Sequence, residues 1–166
     1  MTSKDIAIGP LLFRDIEEVV HIYAEVTNNI YIAYGEVAEG LATPTSFSIK
    51  APKLFHQEMR RSIKNKVRKV YVARYEDATV GFISLEIKEA PAGHRECWIR
   101  DLGVKKHFRR MGIAKQFMRE AYAFGKRHKV RYFFLESGER NTGAHQFFNR
   151  EGFSPLSTIF VKKVVN

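Results

Sequence analysis

Cysteine is nearly missing from the chain, and that excludes two classes at once. The single Cys97 can close no internal disulfide and cannot build a multi-cysteine metal site. No signal-peptide pattern, lipidation motif or long apolar run is visible, so the expected address is the cytoplasm, with no membrane partner. Internal repeats and low-complexity tracts are also missing, which removes solenoids and linkers from consideration. Acid is the scarcer charge. Eighteen Asp and Glu stand against 28 Lys and Arg, a net charge of +10. Such a balance favours anionic partners, whether phosphate-bearing small molecules, acidic proteins or nucleic acid. The positive charge is spread along the chain rather than gathered in a tail, so a solvated basic surface explains it equally well.

What is present describes one ordinary globular domain over residues 1–166, with 45% hydrophobic and 28% charged residues. Ile6-Ala7-Ile8 reads as a short strand ended by Gly9-Pro10. Asp15 followed by Glu18 gives a cap-like start to a helix with Ile16, Val19, Val20, Tyr23 and Thr27 on one face. Residues 28–48 read as a loop with room for one more helical turn, in which Tyr31, Tyr34 and Phe47 are satellite core or line a site. Pro52 suits the first turn of a second helix carrying Phe55, Met59 and Ile63 at steps of four. The opposite side of that helix bears Lys53, Arg60, Arg61, Lys64 and Lys66. No recognition module surrounds this basic face, so nucleic acid is not the expected partner.

Val70–Tyr75 and Thr79–Ile87 alternate like half-buried strands joined through residues 76–78. Residues 95–104 form a further strand, with Trp98, Leu102 and Val104 on one face and Ile99 and Asp101 on the other. A helix follows Gly112, buries Ala114, Phe117, Met118 and Ala121, and ends near Gly125. Residues 130–137 read as an apolar strand in the sheet interior. Asn141 is placed to cap a last helix with Ala144, Phe147 and Phe148 inward. Residues 157–165 read as a final strand joining the sheet. The tally is a mixed α/β (α+β) fold, a mostly antiparallel sheet flanked by helices.

The stretch from Trp98 to Ala114 organises the rest. A strand that feeds a helix through a basic, glycine-containing turn is suited to hold a phosphate. The first helical N–H groups lack intrahelical partners, and the helix dipole adds positive potential there. Arg109 and Arg110 offer planar donor forks, and Gly112 lets an oxygen approach the backbone.

Arg109-Arg110-Met111-Gly112-Ile113-Ala114 fits the pattern [Arg/Gln]-x-x-Gly-x-[Gly/Ala] and resembles the acyl-CoA motif of the GNAT superfamily of N-acetyltransferases. A second stretch, from Asn141 through Ala144, Phe147, Phe148 and Arg150 to Gly152-Phe153, is similar to the last helix and turn of that family. The resemblance implies a GNAT-type sheet and acetyl-CoA as co-substrate. It places the pantetheine arm along Leu102, Gly103 and Val104 and the pyrophosphate on Arg109, Arg110, Met111, Gly112, Ile113 and Ala114. Asn141, Phe148 and Arg150 complete the implied cofactor set, and no metal is implied.

The resemblance further implies direct attack by a primary amine, of a small molecule or a protein, in a ternary complex. Such a reaction needs a base, a well-placed thioester and a donor to the oxyanion. Glu136, five residues before Asn141, sits where some family members carry a catalytic glutamate. Its neighbours Phe134 and Leu135 suggest partial burial, which would strengthen it as a base. Asp101 is the second candidate, although Arg100 stands where small-amine acetyltransferases of the family often have a glutamate. Glu96 ranks behind both. Phe148 replaces the tyrosine that many members use to protonate the departing thiolate. His145 and Tyr122 are substitutes on paper, and each reads better as surface or packing. Two alternatives stay open: a catalytically silent acyl-CoA-binding module, or a basic nucleic-acid-associated domain using residues 53–69. A homodimer is open as well.

Overall fold

In the computed structural model residues 5–164 are described. They fall into two compact units, residues 5–27 with 52–135, and residues 28–51 with 136–164. None of the described helices is long and apolar enough to cross a membrane.

The first unit is built on a five-stranded sheet in sequential order. Its strands are β1 (Ile6–Pro10), β2 (Arg68–Tyr75), β3 (Ala78–Glu89), β4 (Arg95–Val104) and β5 (Val130–Leu135). Neighbours are antiparallel except β4 and β5, which run parallel. The mixed, mostly antiparallel sheet expected from the alternation is therefore observed. β1 runs on to Pro10, which pairs opposite Tyr71; a proline is tolerated there because β1 lies at the sheet edge.

Helices α1 (Ile16–Val26) and α3 (Ala51–Ser62) cover one face. Tyr23 stacks on Phe55 with ring centroids 4.0 Å apart, and Phe55 meets Phe82 of β3 at 5.6 Å. Helix α4 (Ile113–Arg127) covers the other face with Phe117, Met118, Ala121 and Phe124. It does not stop at Gly125. That glycine is buried within the last turn because a Cβ there would lie 2.3 Å from Cζ of Phe133. The glycine makes room for β5 rather than ending the helix.

Asp15 does not cap α1. Its buried carboxylate accepts from the Leu12 amide at 2.7 Å and from Thr79 Oγ1 at 3.0 Å. It also accepts from Arg74 Nε at 3.0 Å and Nη2 at 2.5 Å. Burial pushes its pKa up, but the Arg74, Leu12 and Thr79 hydrogen bonds and the Arg74 charge outweigh that. The net shift is downward.

Three further expectations need correction. Strict alternation fails along β4, because Ser84 pairs with Asp101 while Leu85 pairs with Ile99, leaving Arg100 as an extra residue. The bulge sets Asp101 on the Ser84 and Trp98 face and Leu102 on the Ile99 face. β5 is an edge strand, not an interior one, and Tyr132 is 46% exposed. Its apolar character comes from packing one side on α4 rather than from burial on both sides. Finally, residues 157–164 form no strand, and Leu156, Ile159, Phe160, Val161 and Val164 face solvent. β propensity alone does not make a strand without a pairing partner. Val165 lies outside the described residues.

The second unit holds α2 (Tyr34–Ala38), the extra turn allowed for in residues 28–48, and α5 (Thr142–Arg150). Glu36 closes the start of α2 by accepting from the Ala33 amide at 2.8 Å. Phe47 forms an isolated bridge with Ala42, while Tyr34 is 56% exposed. Gly138 is buried against the backbone of residues 30–32; a Cβ would stand 2.5 Å from the Ile30 carbonyl oxygen.

Candidate active site

Two features of the first unit converge on the end of β4. The first is an opening in the sheet. The pairing of β4 with β5 runs from Arg95 opposite Val130 to Ile99 opposite Leu135 and stops there. β4 itself continues to Val104, held on its other side by β3. From Leu102 to Val104 the strand therefore has a ladder partner on one side only, among the described residues. Such a stretch can accept another extended group by main-chain hydrogen bonding. Gly103 keeps the strand close to the core there, since a Cβ would stand 2.7 Å from Cε1 of Phe82.

The second feature is the turn into α4. Gly112 is the N-cap, with φ 78° and ψ 6°, and no side chain caps the helix. The first intrahelical bond comes from the Gln116 amide to the Gly112 carbonyl. The amides of Ile113, Ala114 and Lys115 thus begin the helix without a capping side chain. Arg110 also occupies the left-handed region at φ 62°, a strained setting for a residue with a Cβ. Apart from its chain neighbours, no atom among the described residues lies within 4 Å of where a Gly112 side chain would start, so space stands open beside these amides.

The turn is tied down from α1. Lys105 pairs with Glu18, and the Lys106 amide donates to Glu25 Oε1 at 3.3 Å. Phe108 packs against Tyr75 at 5.6 Å. Arg109 donates through Nε to the Val104 carbonyl at 3.1 Å. One Arg109 donor is thereby spent on the end of β4, which clamps the corner and leaves the outer guanidinium nitrogens for an anion. Arg109, Arg110 and Lys115 are exposed.

The named acids sit in different surroundings. Asp101 is half-buried beside Ser84 on β4. Glu96 accepts from Trp98 Nε1 at 3.0 Å and pairs with His94 at 3.4 Å, so it is engaged structurally. Glu136 belongs to the second unit and is exposed; the burial expected from Phe134 and Leu135 is not found. Its Oε2 accepts from the Gly35 amide at 2.7 Å, and Gly35 permits this approach because a Cβ would itself stand 3.0 Å from that oxygen. Sequence reading passed over both Gly35 and Ser137, whose hydroxyl is buried with no hydrogen-bond partner among the described residues. No local pattern could have found them, since Gly35 lies 101 positions from the carboxylate it meets.

In α5 of the second unit, Asn141 caps the helix by accepting from the Ala144 amide at 3.4 Å. Phe148 is buried, edge-on to Phe147 at 5.2 Å and Phe153 at 5.6 Å. Arg150 is exposed in the last turn. Tyr122 packs edge-on to Phe133 at 5.4 Å. Cys97 is buried on β4, and burial pushes its thiol pKa up to about 12, so it is no nucleophile at neutral pH.

Comparisons with known proteins bear on the fold and on the family. Three solved structures illustrate the likeness. An aminoglycoside N-acetyltransferase crystallised with CoA superposes with TM-score 0.73 at 13% identity, covering 95% of this chain and 94% of its own. An aminoglycoside acetyltransferase from an uncultured soil metagenomic sample gives 0.70 at 15% identity, covering 98% of both chains. A ribosomal-protein-alanine N-acetyltransferase from Brucella melitensis gives 0.66 at 14% identity, covering 96% and 99%. At such identities the likeness shows the fold alone. No curated protein matches the sequence. Residues 36–153, most of the chain, match the acetyltransferase (GNAT) family, and with that fold and that corner the chain belongs to it.

Proposed function

We propose that this protein transfers an acetyl group from acetyl-CoA to a primary amine by direct attack. The observation that carries the reading is the parting of β4 from β5 after Ile99, next to a helix start with no capping side chain. The residues fit the co-substrate. Leu102 and Gly103 offer strand backbone to an amide-bearing arm, while the amides of residues 113–115 with Arg109 and Arg110 suit a diphosphate. When bound, acetyl-CoA supplies an activated thioester.

The chain's own part is to orient and to move protons. A backbone N–H on the 102–104 strand can donate to the developing oxyanion. Asp101 and Glu136 are the two carboxylates proposed to take the proton of the attacking amine. Glu136 keeps Oε1 for that task while Oε2 holds Gly35. Phe148 has no proton to give. A thiol with an ordinary pKa near 8.5 leaves tolerably as thiolate, so turnover does not need a side-chain acid there. Asn141, Phe148 and Arg150 are proposed as further cofactor contacts from their own unit.

For the acceptor, relatives in fold act on aminoglycosides or on a ribosomal-protein alanine, and both kinds of amine are candidates here. The net charge of +10 does not attract polycations by long-range steering, which favours a peptide or monoamine. Thiol release from acetyl-CoA across a panel of amines and peptides tests the reading. No release with any acceptor, alongside tight acetyl-CoA binding, would turn it into the silent binding module that Phe148 favours.

A further inference from the structure

We propose that the exposed side of α3 is a docking surface for a single-stranded nucleic acid, held through its phosphodiester backbone without regard to sequence. The surface lies within the first unit alone. Along α3, Lys53, Gln57 and Arg60 follow one line at the helical repeat, with Arg61 beside it. Lys64 and Lys66 continue the row in the turn before β2. All five cations are exposed, and none makes an ion pair among the described residues. Two carboxylates at the flanks of the helix are already taken. Glu17 of α1 pairs with His56 at 3.0 Å, and Glu58 pairs with Arg68 at 2.5 Å.

Helix stability does not account for the row. Cations near a helix C-terminus complement the dipole, which explains Arg60 and Arg61. Lys53 stands in the first turn, where the dipole opposes it and where the helix has no acid. Neighbouring like charges also repel one another, a cost that a polyanion laid along the row removes.

The occupant follows from charge and from one ring. The other side of α3 is buried through Phe55 and Met59, so the helix cannot enter a groove to read base edges. The sequence likewise holds no recognition module here. Contact with phosphates remains, and lysine and arginine make it irrespective of sequence. An acidic protein is the poorer fit, because lysine is depleted in protein–protein interfaces and three of the five cations are lysines. The fold adds an aromatic that spacing along the chain does not reveal. Phe13 lies under the Arg60 guanidinium at 5.7 Å and is still 54% exposed. A basic row beside an exposed ring suits a single strand, with its backbone on the cations and a base on the ring.

Fluorescence anisotropy of a labelled RNA of about 20 uridines tests this. Four phosphate contacts predict a slope of about −3 in log K against log salt, so binding should weaken roughly 50-fold between about 50 and 200 mM salt. The triple variant Lys53→Glu, Arg60→Glu, Lys64→Glu is expected to bind about tenfold more weakly, or worse, with an unchanged circular dichroism spectrum. The milder triple change to Gln should weaken binding in the same direction. A control triple variant, Arg119→Glu, Lys126→Glu, Arg131→Glu, makes the same change in net charge on α4 and β5 and should stay within about threefold of the wild type. Phe13→Ala is expected to lower affinity for the single strand about fivefold or more. No binding by the wild type would overturn the proposal, and so would equal losses in the two charge-reversed variants. Tighter binding to a duplex of the same length, or equal binding to polyglutamate of the same charge, would overturn it as well. Displacement of the RNA by CoA would do the same, by moving the contact to the corner at residues 109–115. The assay contains no acceptor amine, so its failure leaves acetyl transfer untouched.

Discussion

Gly103→Ala is the sharpest probe of how the open end of β4 is held. The added methyl carbon would stand 2.7 Å from Cε1 of Phe82 and 3.3 Å from Cγ2 of Ile22, where ordinary contact begins at 3.4 Å. Phe82 cannot retreat: it is 1% exposed and wedged against Phe55. The strand must therefore move outward by several tenths of an ångström or the core must distort. Overpacking of this kind costs about 1–3 kcal/mol. Against it stands a gain of roughly 0.4–1 kcal/mol, because alanine restricts the unfolded chain more than glycine does. The expected net is a loss of about 1–2 kcal/mol, or roughly 2–8 °C in Tm for a chain of this length. Urea and thermal unfolding measure it, and calorimetry with acetyl-CoA is expected to show weaker binding because the displaced strand is the one proposed to carry the pantetheine arm. Adding Phe82→Leu shortens the opposing side chain, so the double variant should lose less than the sum of the two single changes. A Gly103→Ala protein as stable as the wild type, or additive losses in the cycle, would refute the packing reasoning.

Gly112→Asp places a carboxylate beside the helix-start amides and is expected to abolish acetyl-CoA binding in calorimetry; Gly112→Asn, which tolerates the left-handed backbone, should keep most of it. Equal losses in the two would assign the effect to backbone strain instead of charge. Glu136→Gln is expected to lower kcat by a factor of ten or more with little change in acetyl-CoA affinity, and Asp101→Asn serves as the parallel test. If only the Asp101 change slows turnover, the base lies on β4. Asp15→Asn should destabilise the fold by roughly 3–5 kcal/mol, because the partly buried Arg74 loses its counter-charge. The folded pKa of Asp15 lies below its ordinary value, so the carboxylate's contribution is full above about pH 4 and fades as pH falls through the folded value. The stability gap between wild type and Asp15→Asn, followed by urea titration, should accordingly narrow on the acid side, and a gap constant down to pH 2 would contradict this.

Features encoded by local spacing were legible in the sequence. The strand–turn–helix corner at residues 95–127, the Asn141 cap and the helix carrying Phe55 and Met59 each rest on neighbours within a few positions. Features decided by distant neighbours were not. Whether β5 is an edge or an interior strand depends on what pairs beyond it. Gly125 looked like a stop signal because the ring of Phe133 that needs its space arrives only with the folded sheet. The exposure of Glu136 and its bond to Gly35 likewise join residues far apart in the chain. The final strand was misread because β propensity says nothing about whether a partner is available within the same molecule.

The one surplus residue in β4 has a lasting effect on the geometry of the protein. A strand is a two-beat pattern, and Arg100 is a beat counted twice. Everything after it is out of step with everything before it, which swings the Asp101 carboxylate to the side where α1 and α3 lie and away from α4. A register in which Arg100 took a partner of its own would restore the plain rhythm and deliver that acid to the opposite side of the sheet, with no change in what the sequence contains.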